Sequence, residues 1–201
     1  MKHRMLAMAF AVSAVSACGL VDNGSVEPKG RFPTMDMQEA GDRAEKLLDS
    51  VFGAIQPGVE TQRGPSGDSI CTNIKNGSTG TGSVTRQRYV MTIISDERRG
   101  SFLGVVERHW KKEGFKITSV RRDKERPAIF ASSPENFEIS LEFGYRGQAR
   151  IGVTSPCVTE SEVTEPPRQP LDPSSPAAEG FPYIRSDFWS AETPAPIPSA
   201  R

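Results

Sequence analysis

Histidine, the side chain that most often moves protons in enzymes, is scarce in this chain. Apart from His3, the sequence contains only His109. Serine–histidine–carboxylate and cysteine–histidine catalytic arrangements would both depend on that one residue. Its place beside Trp110 in a helical pattern is more typical of a structural histidine, and no serine lies in a Gly-x-Ser-x-Gly turn. We therefore predict no catalytic residue.

Paired carboxylates are the next candidates for chemistry. Glu138 and Glu142 lie on the outer face of one predicted strand, about 13 Å apart. This distance exceeds the separation of the two carboxylates in glycosidases of either type. Zinc ligation is equally unsupported, because Cys71 and Cys157 have no histidine near them in sequence. The sequence thus predicts a solvated strand face, no metal and no cofactor.

A stretch of glycine, serine and threonine at residues 76–83 invites comparison with a phosphate-binding loop. The stretch lacks the Lys-Ser/Thr pair and the helix that should follow directly. We interpret it as a long, mobile hairpin loop between two strands.

The N-terminus has the order of a secretory signal peptide. Lys2 and Arg4 precede an apolar run, residues 5–17, that is too short to cross a bilayer as a permanent helix. Its end resembles the lipobox of bacterial lipoproteins: Val15-Ser16-Ala17-Cys18. The resemblance implies diacylglycerol on the Cys18 sulfur and cleavage just before this residue. It covers about the first twenty residues, and the alternative is an ordinary signal peptide whose cleavage site precedes a cysteine.

The general type resembles the small secreted lipoproteins of high-GC Gram-positive bacteria. This resemblance implies a lipid-anchored protein on the extracytoplasmic face of the cell membrane. Loss of Lys2 and Arg4 with the signal would leave 23 of the 25 basic residues against 25 acidic ones. Such a balance does not favour a nucleic-acid partner. The expected partners are the membrane, through the lipid, and another envelope protein or an anionic wall polymer.

With Cys18 acylated, Cys71 and Cys157 remain. Two cysteines in an oxidising compartment are most simply a disulfide. They are 86 residues apart, so loop entropy predicts a stabilisation of about 4–5 kcal/mol. The alternative is a pair of free buried thiols.

Composition divides the chain into four segments. We assign 1–17 to the signal peptide, 18–34 to a flexible lipidated tether, 35–157 to one folded domain and 158–201 to a proline-rich disordered tail. An aromatic island interrupts the tail and is a candidate docking segment: Phe181, Tyr183, Ile184, Phe188 and Trp189. We expect the island to serve a partner, or to have no role, because docking on the domain must offset the loop entropy of a long linker.

Periodicity within the domain predicts two helices and six strands. Apolar residues recur at helical spacing from Met37 to Ile55 and again between Asp96 and Glu113. Short alternating or β-branched runs predict strands near residues 70–74, 84–94, 115–121, 128–132, 136–143 and 148–155. The predicted fold class is α+β, in the order α-β-β-α-β-β-β-β. It is an antiparallel sheet of about five to six strands with both amphipathic helices on one face.

Charge is distributed unevenly along the chain. Residues 84–126 contain twelve basic and six acidic residues, whereas residues 127–201 contain five basic and ten acidic ones. A surface patch for anionic lipid headgroups or wall polymer is one interpretation. Its candidate residues are Arg98, Arg99, Arg108, Lys111, Lys112, Arg121 and Arg122. The other interpretation is internal neutralisation of this region by the acidic strands and tail.

Two functional hypotheses follow from these patterns. The first is a non-enzymatic module of the cell envelope that binds a ligand or a partner protein. The second is an envelope enzyme whose site is assembled from scattered residues. The absence of a second histidine in the mature chain and of any nucleophile motif favours the first.

The lipid anchor can be tested by a single substitution. We expect Cys18→Ser to abolish acylation, so that the protein leaves the membrane fraction or accumulates as uncut precursor. Fractionation of cells followed by mass spectrometry of the N-terminal peptide measures both effects. An unmodified Cys18 in the wild-type protein would contradict the lipoprotein interpretation.

Overall fold

The structure, a computed structural model, describes residues 34–168 and 173–195. The predicted signal peptide and nearly all of the predicted tether lie outside these residues. Two α-helices are present in the described part, α1 (Met37–Ala54) and α2 (Asp96–Lys112). A short 3₁₀ turn, Pro176–Glu179, follows near the C-terminus.

Helix α1 begins at a capping box. The side chain of Asp36 accepts a hydrogen bond from the backbone N–H of Glu39, and the Glu39 side chain accepts one from the backbone N–H of Asp36. The buried side of α1 carries the predicted apolar stripe from Met37 to Val51. The helix ends at Ile55, two residues before Pro57.

The strands form one antiparallel sheet of eight members. Their bounds are β1 Thr61–Arg63, β2 Gly67–Thr72, β3 Ser78–Val90, β4 Lys116–Arg121, β5 Ala128–Ser132, β6 Glu138–Phe143, β7 Ala149–Thr154 and β8 Val158–Thr159. The strand order is β1-β3-β7-β6-β5-β4, and β2 and β8 also pair with β3. The α+β fold class is confirmed. The sheet has more strands than expected because β1 and β8 are too short to show a pattern in the sequence.

Both helices pack on the same face of the sheet. Helix α1 contacts β3, β7 and β8, and α2 contacts α1, β4 and β5. Strand β6 shows how the layers separate: Ile139, Leu141 and Phe143 are buried under the helices, while Glu138 and Glu142 alternate onto the opposite face. Within the described residues that opposite face carries no α-helix, and most of its side chains are polar, with Phe130 of β5 as an exception.

The prediction of a long loop at residues 76–83 is wrong. Residues from Ser78 onward already belong to β3, where Ser78 pairs with Thr72 and Gly82 with Ile70. The turn is confined to residues 73–77, in which the Asn73 side chain accepts hydrogen bonds from the backbone of Lys75 and Gly77. Glycine and serine usually weaken a strand, but here backbone pairing on both edges of β3 supplies the order.

Gly82 has a specific packing role. A Cβ atom at this position would lie 2.5 Å from Sδ of Met37 and 2.9 Å from the carbonyl oxygen of Ser69. The start of α1 therefore approaches β3 closely only because this residue has no side chain.

A disulfide joins Cys71 and Cys157, as predicted, with a Cα–Cα distance of 6.2 Å. It links β2 to the residue that directly precedes β8. Since both of these strands pair with β3, the bond ties together the two short strands that flank the beginning of β3.

The predicted disordered tail is wrong for the residues that the structure describes. Residues 173–195, which we call the C-terminal strap, are joined to the segment after β3. Tyr183 and Ile184 donate backbone hydrogen bonds to the carbonyl of Met91, and Ile93 donates one to the carbonyl of Ile184. The island thus docks on the domain, because these backbone bonds and the aromatic contacts below offset the linker entropy that favoured the opposite expectation.

Trp189 anchors the strap in the core. Its side chain is fully buried and makes edge-to-face contacts with Phe102, at 5.1 Å between ring centroids, and with Phe188, at 4.8 Å. Its indole N–H donates to the carbonyl of Pro57 at 2.6 Å. The strap therefore closes one end of the hydrophobic core.

Removal of the Trp189 side chain should destabilise the whole domain. We expect Trp189→Ala to lower the free energy of unfolding by about 3–5 kcal/mol, because it leaves a cavity and an unpartnered carbonyl. The melting temperature should fall by roughly 6–20 °C. Calorimetry of the full chain measures this change.

Tyr183→Ala is the matched control, since Tyr183 lies on the same strap with its side chain half exposed. It should alter the stability by no more than about 0.5 kcal/mol. Equal melting temperatures for the Trp189→Ala and Tyr183→Ala variants would contradict the anchoring role.

Candidate functional site: an arginine groove

The helix-free face of the sheet carries its polar side chains in register. Across the middle of the face, Gln87 of β3 lies opposite Gly152 of β7, Gly152 opposite Ser140 of β6, and Ser140 opposite Phe130 of β5. Glycine and serine at the centre leave a shallow trough of about 300 Å³. The trough is open, its surface is polar and apolar in nearly equal measure, and Phe130 forms its aromatic wall.

One end of this face continues into an arginine-rich groove of about 510 Å³. The end is formed by the β4–β5 and β6–β7 turns together with the 3₁₀ turn of the strap. We define the arginine groove by its four guanidinium groups and two rings: Arg121, Arg126, Arg146, Arg150, Tyr89 and Tyr145. Its volume lies within the range of small-ligand sites.

Two of these arginines are held by aromatic rings rather than by acids. The guanidinium of Arg126 lies 4.0 Å from the ring centroid of Tyr145, and that of Arg146 lies 3.8 Å from that of Phe181 on the strap. Among residues 34–168 and 173–195, neither arginine forms an ion pair. A guanidinium stacked by its face still presents the N–H edges that bind carboxylate or phosphate.

Glu142 is shared by the other two arginines of the groove. Its Oε1 lies 3.1 Å from Nη2 of Arg150, and its Oε2 lies 3.6 Å from Nη2 of Arg121. One further carboxylate, that of Glu179, lines the groove. Four cations and two anions line the groove, which gives the lining a net positive charge; Asp123, beside Arg121 and Arg126, adjoins it.

In a neighbouring cavity the arginines are neutralised by carboxylates, in contrast to those of the arginine groove. The cavity of about 490 Å³ lies along β1 and contains Arg63 and Arg88. Both contact Glu45, and Arg88 also pairs with Asp49 at 2.7 Å. Burial lowers the pKa of Arg88, but hydrogen bonds from the two carboxylates outweigh it and raise the pKa above its ordinary value. These arginines are already committed to structural partners.

The predicted anionic-surface patch does not exist as one surface. Arg98 is 5% exposed and lies over the Phe188 ring at 4.6 Å. Arg99 is also buried, bonded to Asp96 and to the carbonyl of Glu125. Both residues belong to the buried face of α2, four and three positions before Phe102 respectively. That helical spacing was the signal, visible in the sequence, that these two arginines face the core.

The other members of the predicted patch are scattered. Arg108, Lys111 and Lys112 are exposed on α2, where Lys111 pairs with Glu107 at 2.6 Å. Arg122 is exposed in the β4–β5 turn, and Arg121 alone enters the arginine groove. Sequence reasoning missed Arg146 and Arg150, because both lie in the stretch whose overall balance is acidic. Only the folded sheet brings them next to Arg121 and Arg126.

His109 has a partner that the sequence did not suggest. Its Nε2 lies 3.0 Å from the hydroxyl of Ser50 on α1, in a cleft of about 160 Å³ between the two helices. Ser50 lies in the interior of α1, so the neighbouring backbone N–H groups are bonded within the helix. An oxyanion hole made of backbone N–H groups requires such groups to be free, so the interior of α1 beside Ser50 does not supply one.

The described residues contain neither a candidate metal site nor a candidate membrane span. Within residues 34–168 and 173–195 no cluster of three or more histidine, cysteine or acidic side chains is arranged to hold a metal ion. No helix in the same residues is both long enough and apolar enough to cross a bilayer.

Comparison with known proteins adds one distant similarity. No family model and no curated protein matches the chain. Among solved structures, the crystal structure at 2.65 Å resolution of a DUF4853 family protein from Actinomyces odontolyticus ATCC 17982 matches with a TM-score of 0.41 and 15% identity. The match covers 78% of this chain and 81% of that chain. A similarity of this size assigns no function to the present chain.

The Ser50–His109 pair can be tested as a nucleophile. We expect a fluorophosphonate probe to leave Ser50 unlabelled in the full chain, because no free backbone donors surround its hydroxyl. Intact-protein mass spectrometry reads the result, with Ser50→Ala as the control for labelling elsewhere. Labelling that disappears in both Ser50→Ala and His109→Ala would contradict this expectation and support the enzyme hypothesis.

Proposed function

We propose that this protein is a lipid-anchored, extracytoplasmic binding module that holds an anionic glycopolymer of the cell envelope in its arginine groove without chemical conversion. The observation that carries the proposal is the presence in one groove of two arginines, Arg126 and Arg146, whose guanidinium groups form no ion pair within the described residues and stack on aromatic rings. The Asp123 carboxylate adjoins Arg126 but accepts its hydrogen bond from the Arg126 backbone N–H.

The compartment is argued from two independent features. The lipobox-like sequence that ends at Cys18 favours export and acylation. The Cys71–Cys157 disulfide favours an oxidising compartment, because cytosolic thiols are normally kept reduced.

The ligand class is argued from the charge and shape of the groove. Guanidinium groups recognise phosphate and carboxylate through paired N–H donors. The groove is open at the side where Glu142 and Arg150 also border the polar trough. A linear ligand can therefore place its anionic groups at the arginines and its hydroxyl-bearing units over Gln87, Ser140 and Thr154. A polymer with alternating anionic and hydroxylated units fits this arrangement.

A binding role without catalysis is argued from what borders the groove. Its polar side chains are arginines, two tyrosines, a glutamine and the carboxylates of Glu142 and Glu179. Glu142 is already engaged by two arginines, Arg121 and Arg150. The groove therefore lacks an acid–base pair, and the runner-up hypothesis of an envelope enzyme depends on the separate Ser50–His109 cleft.

Substitution of the two unpaired arginines tests the proposal. Arg126→Gln combined with Arg146→Gln should weaken binding of poly(glycerol phosphate) by about 10- to 100-fold, since each arginine contributes a charge-assisted hydrogen bond. Wild-type affinity should also fall as salt is raised. Titration of the full chain by calorimetry measures both effects, with neutral dextran as the uncharged polymer and a uronic-acid polysaccharide as the carboxylate polymer.

Arg108→Gln combined with Lys112→Gln is the charge-matched control. These two exposed cations on α2 lie outside the groove, so their loss should leave the affinity within about twofold. Equal weakening by the two double variants would indicate a non-specific charge effect and contradict the groove. An absence of binding to either anionic polymer by the folded wild-type chain would contradict the polymer ligand.

A further inference from the structure

The turn between β2 and β3 exposes an apolar side chain that the fold does not use. Ile74, at the tip of this turn, is 101% exposed, and Ile70 on the adjacent strand is 55% exposed. The tip is well formed, because Asn73 bonds two backbone N–H groups within it. A single exposed apolar residue is ordinary on a protein surface. Here two of them, Ile70 and Ile74, lie on the same hairpin.

The charge around the tip is equally distinctive. From Ser69 to Thr85 the sequence contains one charged residue, Lys75, which follows Ile74 directly. Residues 69–85 contain no acidic side chain, in a protein that is one-quarter charged. Two acidic residues adjoin this stretch: Asp68 of β2, and Glu160, whose backbone N–H donates to the carbonyl of Gly80. An apolar tip with a single adjacent cation and no acid suits a membrane interface, where isoleucine enters the apolar boundary and lysine remains at the headgroups.

The hairpin lies at the same end of the domain as the entry point of the N-terminal chain. Thr159 of β8 donates a backbone hydrogen bond to the carbonyl of Met35 and pairs with Thr81 of β3. Gly77, at the base of the tip, is four residues from Thr81, or about 13 Å along an extended strand. The Cys71–Cys157 disulfide holds the hairpin and β8 together at this end. Cys18 precedes Thr34 by sixteen residues, a reach of at most about 55 Å.

The arginine groove lies at the opposite end of the same strand. Tyr89, which lines the groove, is eleven residues from Ser78, or about 36 Å of extended chain. A membrane at the hairpin end would therefore face away from the groove.

We propose that the β2–β3 tip, through Ile74 and Lys75, is a second membrane contact that inserts into the lipid interface beside the acyl anchor. It orients the domain so that the arginine groove points away from the bilayer. This inference rests on the proposed lipid anchor, but not on the identity of the ligand in the groove. The occupant of the tip is a lipid surface that contains anionic headgroups.

Amine labelling of the wild-type protein tests this orientation without altering the fold. Lys75 at the tip and Lys124 in the β4–β5 turn are both exposed, and they lie at opposite ends of the sheet. The acylated full chain is bound to vesicles of phosphatidylglycerol and phosphatidylcholine and treated with a water-soluble acylating reagent. Relative to the Cys18→Ser protein in solution, labelling of Lys75 should fall several-fold while labelling of Lys124 stays constant.

Tryptophan substitution provides the second measurement. Both native tryptophans, Trp110 and Trp189, are fully buried and give a constant background. On vesicles that contain brominated lipid, Ile74→Trp should show a blue-shifted and quenched emission. Val120→Trp, at an exposed position on the far edge strand β4, should show neither change.

Several outcomes would overturn the inference. Equal labelling changes at Lys75 and Lys124, or equal quenching at positions 74 and 120, would show that the tip is not the oriented contact. Protection of Lys75 in intact cells but not on protein-free vesicles would assign the tip to a protein partner instead of lipid. Wild-type protein that fails to float with vesicles would overturn the anchor and this inference together, whereas flotation with an unprotected Lys75 would overturn the inference alone.

Discussion

Both edges of strand β3 are hydrogen-bonded, and the remainder of the molecule is arranged around this strand. Strands β1 and β2 pair with one edge of β3, and β7 and β8 pair with the other. Helix α1 lies across its buried face, where Val84 and Val90 are fully buried. Side chains of β3 alternate between the two faces of the sheet. At Gly82, which has no side chain, the start of α1 comes close to the backbone of β3. A Cβ atom at Gly82 would lie 2.9 Å from the Ser69 carbonyl oxygen, so a side chain there would disturb the pairing of β2 with β3 and displace the Met37 side chain.

Buried arginines are the second feature that organises this fold. Arg98 places its guanidinium against the Phe188 ring, and Arg99 bonds Asp96 and the carbonyl of Glu125. Removal of a cation from water is costly unless it gains partners, so these residues stabilise the fold only while the strap and the β4–β5 turn are in place. The strap thus completes the site of Arg98 as well as the hydrophobic core. Arg126 and Arg146 of the groove also stack on rings, but Arg146 is exposed and Arg126 is only partly buried.

The two ends of β3 have opposite chemistry, and this polarity connects the proposed function with the proposed orientation. The end near the Cys71–Cys157 disulfide exposes Ile70 and Ile74, and residues 69–85 carry a single charge there, that of Lys75. The other end gathers four arginines around Tyr89. If the first end contacts lipid, the second lies on the far side of the domain, where a polymer of the envelope is accessible and lipid headgroups are not. Because both helices cover one face of the sheet, the trough on the other face stays open and continues from the arginine groove.

The sequence by itself determined the helices, six of the strands, the α+β class and the pairing of Cys71 with Cys157, because these depend on local periodicity and on a cysteine count. It also indicated the export signal, which is local by nature. Only the tertiary structure decided that Arg98 and Arg99 are buried, that Trp189 belongs to the core, and that Arg146 and Arg150 join Arg121 and Arg126. Each of these results depends on contacts between residues far apart in the chain. Local sequence patterns carry no information about such contacts. The strap is ordered because its contacts with the domain offset its loss of conformational entropy, and those contacts cannot be read from its own composition.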